Sequence, residues 1–166
     1  MMKFGFIGMG NMGYAMLKGA LNSFSSDEII FTCPSSQRRE YINSETNVAY
    51  AESNAECANN SKYIILAVKP QVYDVVLKNI HDIVSPDNII ISLAPGITID
   101  DLKRKLGNDM RIVRAMPNTP ALVGQGMTGI SYEASEFSLE ERSEIEQFFT
   151  SFGEMVIVPE NLMNAV

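Results

Sequence analysis

An α/β fold with a doubly wound, mainly parallel sheet and helices on both faces is predicted by three observations. Short apolar runs rich in Ile, Val and Phe recur along the chain, they alternate with helical stretches, and a glycine-spaced turn joins the first run to the first helix. A length of 166 residues suits one domain, enough to bury a sheet between two helical layers.

In chain order, the runs KFGFIG, EIIFTC, KYIILAV, NIIISLA and RIVRAM are each too short for a helix and apolar on both faces, as parallel strands covered from two sides are. Between them, residues 11–21, 35–42, 71–83 and 99–106 read as helices. GMTGISYE reads as a further strand. SLEERSEIEQFFTSFG then carries a capping box from Ser138 to Glu141 and an apolar stripe of Leu139, Ile145, Phe148 and Phe152, ending at Gly153. The surrounding acids Glu133, Glu136, Glu140, Glu141, Glu144 and Glu146, against one Arg142, read as a solvated face. After a last strand, EMVIVP, the chain reaches ENLMNAV with no element to close it. The folded domain is assigned to residues 1–160, and 161–166 to the start of a linker or helix leading to a further domain, expected beyond residue 166.

A net charge of -7 and a pI near 4.7 argue against an extended nucleic-acid surface. Lys18 ends the apolar start before it reaches the roughly 20 residues of a membrane span, and no small-residue cleavage pattern follows it. Neither a nucleic-acid nor a membrane partner is expected. Cys33 and Cys57 are too few and too widely spaced for a disulfide framework or a CxxC site, so a reducing cytoplasm and no metal are expected.

The turn FIGMGNMG places Gly8, Gly10 and Gly13 in G-x-G-x-x-G spacing after a strand and at the start of a helix. This is the dinucleotide fingerprint of a Rossmann-type fold. Gly8 allows the tight turn, Gly10 lets backbone approach a pyrophosphate, and Gly13 lets the helix pack on the strand. The helix start supplies free N–H donors and a partial positive charge.

About 20 residues further on, an acid would hold the 2′-hydroxyl of NAD, yet IIFTCPSSQRRE contains none before Glu40. Ser35, Ser36 and Arg38 or Arg39 instead offer hydroxyls and a guanidinium fork to a 2′-phosphate, which favours NADPH over a weaker NADH. The same residues also suit a helix start at Pro34 with serine caps and solvated arginines, and the two readings are compatible.

Open α/β sheets bind ligands beyond the carboxyl ends of their strands. Those ends are AVKP (Ala67, Val68, Lys69, Pro70), LAPG (Leu93, Ala94, Pro95, Gly96) and RAMPNTP, whose two prolines bracket Asn118 and Thr119. Tight turns there would face a nicotinamide. Lys69 suits solvent or the cofactor's charge better than catalysis, and His81, the one histidine, suits a helix C-terminus.

GFIGMGNMG, AVKPQ, APGIT and above all RAMPNTPALV, in this order, make the chain resemble the pyrroline-5-carboxylate reductases along its whole length. The resemblance implies NADPH-dependent reduction of the ring C=N of 1-pyrroline-5-carboxylate to proline. It places Ile7, Gly8, Met9, Gly10, Asn11 and Met12 at the pyrophosphate and Cys33 with Ser35 near the adenosine phosphate. Asn54 would lie beside the ribose, Ala67 to Pro70 and Leu93 to Gly96 along the nicotinamide, and Asn118 and Thr119 near nicotinamide and substrate. It further implies a C-terminal all-helical domain, absent from these residues, that forms a homo-oligomer and supplies much of the substrate pocket, so that residues 1–166 alone would have little activity.

A cyclic imine can arrive already protonated, so positioning carries much of the rate and no acid-base dyad is demanded. Two other readings stand beside this one. A β-hydroxyacid dehydrogenase would begin with a similar turn, although RAMPNTP argues against it, and an NADP-binding regulatory module would need no chemistry.

Overall fold

A computed structural model describes residues 1–118 and 126–165. Among these residues eight strands form one sheet in the order β3-β2-β1-β4-β5-β6-β7-β8. They are β1 (Met2–Ile7), β2 (Ile29–Thr32), β3 (Ala49–Tyr50), β4 (Ser61–Leu66), β5 (Ile89–Ser92), β6 (Arg111–Pro117), β7 (Gly126–Ser131) and β8 (Gly153–Ile157). The pairs from β3 through to β6 are all parallel, β7 runs antiparallel to β6, and β8 is parallel to β7. The strand order reverses at β1, between β2 and β4, which is where such sheets open a crevice.

Successive strand residues point to opposite faces, and both faces are apolar here. Ile65, Ile91 and Val113 join Phe4, Phe31 and Phe148 in one core. Their neighbours Ile64, Ile90 and Ile112 join Tyr73, Val76 and Leu102 in the other. Helices α1 (Asn11–Ala20), α2 (Ser36–Thr46) and α6 (Leu139–Thr150) cover the first face through Met16, Leu17, Ile42, Ile145 and Phe149. The second is covered by α3 (Asn54–Asn59), α4 (Tyr73–Ile80) and α5 (Ile99–Leu106) through Cys57, Leu77, Ile80 and Leu106. Both cysteines are free and buried, and no helix among the described residues is long and apolar enough to cross a membrane.

Three expectations are corrected. The stretch 71–83 divides into a 3-10 turn, Pro70–Val72, and the shorter α4, because Pro70 starts the turn and the helix proper begins at Tyr73. In α6 the Ser138 to Glu141 capping box forms, but Leu139 is 78% exposed because it occupies the first helical position, before the apolar stripe reaches the core. The acids of this helix are also not all solvated. Glu141 is buried, accepting from Arg111 Nη1 at 2.6 Å and lying 3.3 Å from Lys62 Nζ, and Glu144 accepts from the Tyr63 hydroxyl at 2.8 Å and pairs with Lys3.

Glu141 makes the fold sensitive to acid. Burial alone would raise its carboxyl, but the Arg111 hydrogen bond, the Ser138 N–H, the Arg111 charge and Lys62 outweigh that and hold it down to about 2 from an ordinary 4.5. A depressed carboxyl stabilises the fold above the unfolded value, and that contribution is lost as pH falls from about 4.5 towards 2. At about 1.4 kcal/mol per unit, it amounts to about 3 kcal/mol. Urea unfolding should show Glu141→Gln less stable than the unaltered chain at pH 7, with the gap closing by pH 2. A gap independent of pH would contradict this.

Candidate dinucleotide site

The crevice is built first by β1 and the turn after it. Gly8 has φ +103°, and a Cβ there would stand 2.6 Å from the Ala67 carbonyl oxygen, so glycine is required. A Cβ at Gly13 would stand 2.8 Å from the Gly8 carbonyl oxygen, so α1 packs against the turn only without one. A Cβ at Gly10 would meet nothing within 4 Å among the described residues. Of the three, Gly10 is the one whose missing side chain leaves open space.

Gly10 is also the N-cap of α1, with no side-chain cap bond, whereas Ser35, Ser53, Thr98 and Ser138 cap α2, α3, α5 and α6. The first-turn N–H groups of α1 therefore keep their capacity for an outside acceptor. They border a cleft of about 360 Å³. Gly10, Asn11, Met12 and Gly13 form one wall; Ala67, Val68 and Lys69 after β4, Leu93 and Pro95 after β5, and Met116 and Pro117 at the end of β6 form the other.

The expected residues divide into four groups. The cleft collects the α1 start and most of the AVKP and LAPG turns, while Pro70, Ala94 and Gly96 adjoin it without lining it. Ile7, Gly8 and Met9 are buried behind the turn. Cys33, Ser35, Ser36, Arg38 and Arg39 gather at the exit of β2, across β1 from the cleft. Asn54, at the start of α3, donates to Asn79 Oδ1 at 3.1 Å on α4.

At the β2 exit Cys33, Ser35, Arg38 and Arg39 already have partners within the protein. Cys33 is buried, its Sγ 3.7 Å from the Ser35 carbonyl oxygen, and burial pushes the thiol up. It therefore faces the chain itself. A serine caps α2 as expected, but the helix starts at Ser36 and not at Pro34: the Ser35 Oγ accepts from Arg38 N at 3.2 Å, leaving the hydroxyl proton free to donate. Arg38 donates from Nε to the Met9 carbonyl at 2.5 Å, tying α2 to the glycine turn, and Arg39 donates from Nη1 to the Cys33 carbonyl at 2.6 Å. Each guanidinium lies over a tyrosine, Tyr14 for Arg38 and Tyr50 for Arg39. A guanidinium carries five N–H donors, so each arginine can hold its carbonyl and still present N–H groups to a phosphate.

Asn118 is exposed, and its Oδ1 accepts from Met127 N at 3.2 Å, so its side chain bridges the start of β7 to the end of β6. Thr119 lies outside the described residues. Lys69 is exposed at the cleft edge. His81 is exposed past the end of α4, its Nδ1 3.0 Å from Asp82 Oδ1. Met116 and Pro117 of the RAMPNTP strand end line the cleft directly before Asn118, although neither is among the expected ligand residues.

Residues 3–96 match the family described as NADP oxidoreductase, coenzyme F420-dependent. The chain is 37% identical over 99% of its length to the pyrroline-5-carboxylate reductase of Escherichia coli (strain K12), of which it covers 61%. It is 37% identical over 98% of its length to that of Synechocystis sp., of which it covers 60%. Among solved structures, a pyrroline-5-carboxylate reductase from Coxiella burnetii superimposes with a TM-score of 0.91 at 30% identity, covering 98% of this chain and 61% of that one. The Plasmodium falciparum pyrroline carboxylate reductase, solved with NADP bound, gives 0.85 at 30% identity, with 98% and 60% covered. The chain thus spans about 61% of the length of the curated relatives it matches.

Proposed function

The chain belongs to the family described as NADP oxidoreductase, coenzyme F420-dependent, and from that premise we propose that it is the NADPH-binding part of an enzyme reducing the C=N bond of 1-pyrroline-5-carboxylate to L-proline. The observation that carries the cofactor half is the cleft joining the uncapped start of α1 to the exits of β4, β5 and β6. The substrate half is supported by the names of relatives that match nearly the whole chain. NADPH, bound in the cleft, would supply a hydride.

The protein's own groups have separate tasks in this reading. The N–H groups of Asn11, Met12 and Gly13 hold the pyrophosphate, and open space at Gly10 lets it approach. Ser35, Ser36 and the free N–H groups of Arg38 and Arg39 hold the 2′-phosphate, and Asn54 lies on the ribose side. Ala67, Val68, Leu93 and Pro95 exclude water from one face of the nicotinamide, and Lys69 steadies the phosphate charge from the rim. Asn118, held by its bond to Met127 N, and Thr119, which lies outside the described residues, are the substrate-side residues of this proposal. The imine arrives protonated, so these residues orient and shield the reactants without moving a proton.

The relatives are longer than this chain, and full turnover and homo-oligomerisation are proposed for a protein of their length. Residues 1–160 form the cofactor domain in this proposal, and the segment after them leads to the helical domain. Two free thiols suit a reducing cytoplasm. Neither a nucleic acid nor a membrane has a part in this scheme.

The test is absorbance of NADPH with the full-length protein. Consumption is expected on adding 1-pyrroline-5-carboxylate and not on adding a β-keto acid. Turnover of the keto acid alone would overturn the proposal.

A further inference from the structure

Tyr73 opens α4, is 2% exposed, and does not line the cleft. Its hydroxyl oxygen lies 3.0 Å from the Leu66 carbonyl oxygen, 3.0 Å from Ser92 Oγ and 3.3 Å from Leu93 N. Counting protons fixes the directions. A phenol has one hydrogen, and a carbonyl can only accept, so Tyr73 donates to Leu66. Ser92 must then donate to the phenol oxygen, as the Leu93 N–H does. One donated and two accepted bonds use the whole capacity of the hydroxyl. Burial raises the phenol above its ordinary value, so it keeps its proton at physiological pH.

The partners lie at one place in the sheet. Leu66 and Ser92 are the last paired residues of β4 and β5, and directly after them the chains diverge into the Ala67–Lys69 and Leu93–Pro95 turns that line the cleft. Beyond the last ladder pair the backbone bonds that hold parallel strands together have ended. The tyrosine replaces them with one side-chain oxygen bonded to both strand ends.

We propose that Tyr73 is a positioning residue for the nicotinamide half of the cofactor: its buried hydroxyl sets the spacing of the β4 and β5 exits between which the ring is held. This rests on the cofactor reading above. The hydroxyl acts through Leu66, Ser92 and Leu93 and bonds to neither the α1 phosphate turn nor the β2 exit, so its loss should be felt chiefly at the nicotinamide end of the dinucleotide.

The test is titration calorimetry of Tyr73→Phe with NADPH and with adenosine 2′,5′-bisphosphate, which keeps the 2′-phosphate but lacks the nicotinamide. NADPH should weaken about three- to tenfold, as loss of neutral hydrogen bonds allows, while the bisphosphate keeps its affinity. Ser92→Ala should give the same pattern, and the double variant should be little worse than either single one, because the two groups share one network. Equal weakening of both ligands, meaning general loosening, or no weakening of either, would overturn the assignment. If the unaltered chain binds neither ligand, the cofactor reading itself fails and this assignment with it.

Discussion

Gly10→Val is expected to weaken NADPH by about 100-fold or more while leaving the fold nearly intact. Among the described residues nothing lies within 4 Å of a Cβ at this position, and φ is -73°, so the backbone accepts a branched side chain without strain. The cost to folding is a poorer N-cap on α1, about 1 kcal/mol. The cost to binding is larger, because the added methyl groups occupy the space through which the pyrophosphate meets the first N–H groups. Losing two charge-assisted contacts, each about 1.5–3 kcal/mol, accounts for the expected factor. Gly8→Ala supplies the opposite case. There φ is +103° and the methyl would meet the Ala67 carbonyl oxygen at 2.6 Å, so the fold should lose about 2–4 kcal/mol. Urea unfolding and cofactor titration of the two variants should separate binding from stability. A Gly10 variant that binds normally would remove the phosphate turn from the account.

The second large effect concerns cofactor choice. Arg38→Ala combined with Arg39→Ala should weaken NADPH by about tenfold to a hundredfold, a total of about 1.5–3 kcal/mol with Ser35 and Ser36 still in place. NADH should weaken by only a few-fold. That smaller loss has its own cause: Arg38 Nε holds the Met9 carbonyl of the glycine turn, which serves both cofactors. The ratio of the two affinities, measured by fluorescence titration, is thus the informative quantity. Equal losses for NADPH and NADH would leave the arginines as scaffolding for the turn and would remove the 2′-phosphate from the β2 exit.

Much of this fold was legible because its signals are local. The run KFGFIG and the glycine spacing after it predicted β1, the turn and α1, and the structure has them at Met2–Ile7 and Asn11–Ala20. What escaped was short or depended on distant partners. β3 is two residues, and α3 is six residues of small and polar character in NAECAN, so neither presents a period to read. The capping box at Ser138 was visible, yet the burial of Glu141 beside it was not, since Arg111 and Lys62 reach it from other strands.

The candidate site divides in the same way. Backbone features, meaning the three glycines and the turns that end β4 and β5, could be placed from residue type and order; Gly10, Gly13 and most of those turns line the cleft, with Gly8 buried behind them. Side-chain features could not. The carbonyls that Arg38 and Arg39 hold, and the bond from the Asn54 amide to Asn79, could not be read from residue type. These contacts depend on rotamers and on residues far apart in sequence.

The central claim, that one dinucleotide lies across the carboxyl ends of β2, β1, β4 and β5, is tested most directly by a crystal structure of the protein with NADPH. The account predicts pyrophosphate oxygens within about 3 Å of the backbone N–H groups of Asn11, Met12 or Gly13. It also predicts the 2′-phosphate at Ser35 and Arg38, and the nicotinamide between the Ala67 and Leu93 turns. A dinucleotide bound away from the α1 start, or one with its adenine over β4 and β5, would contradict it.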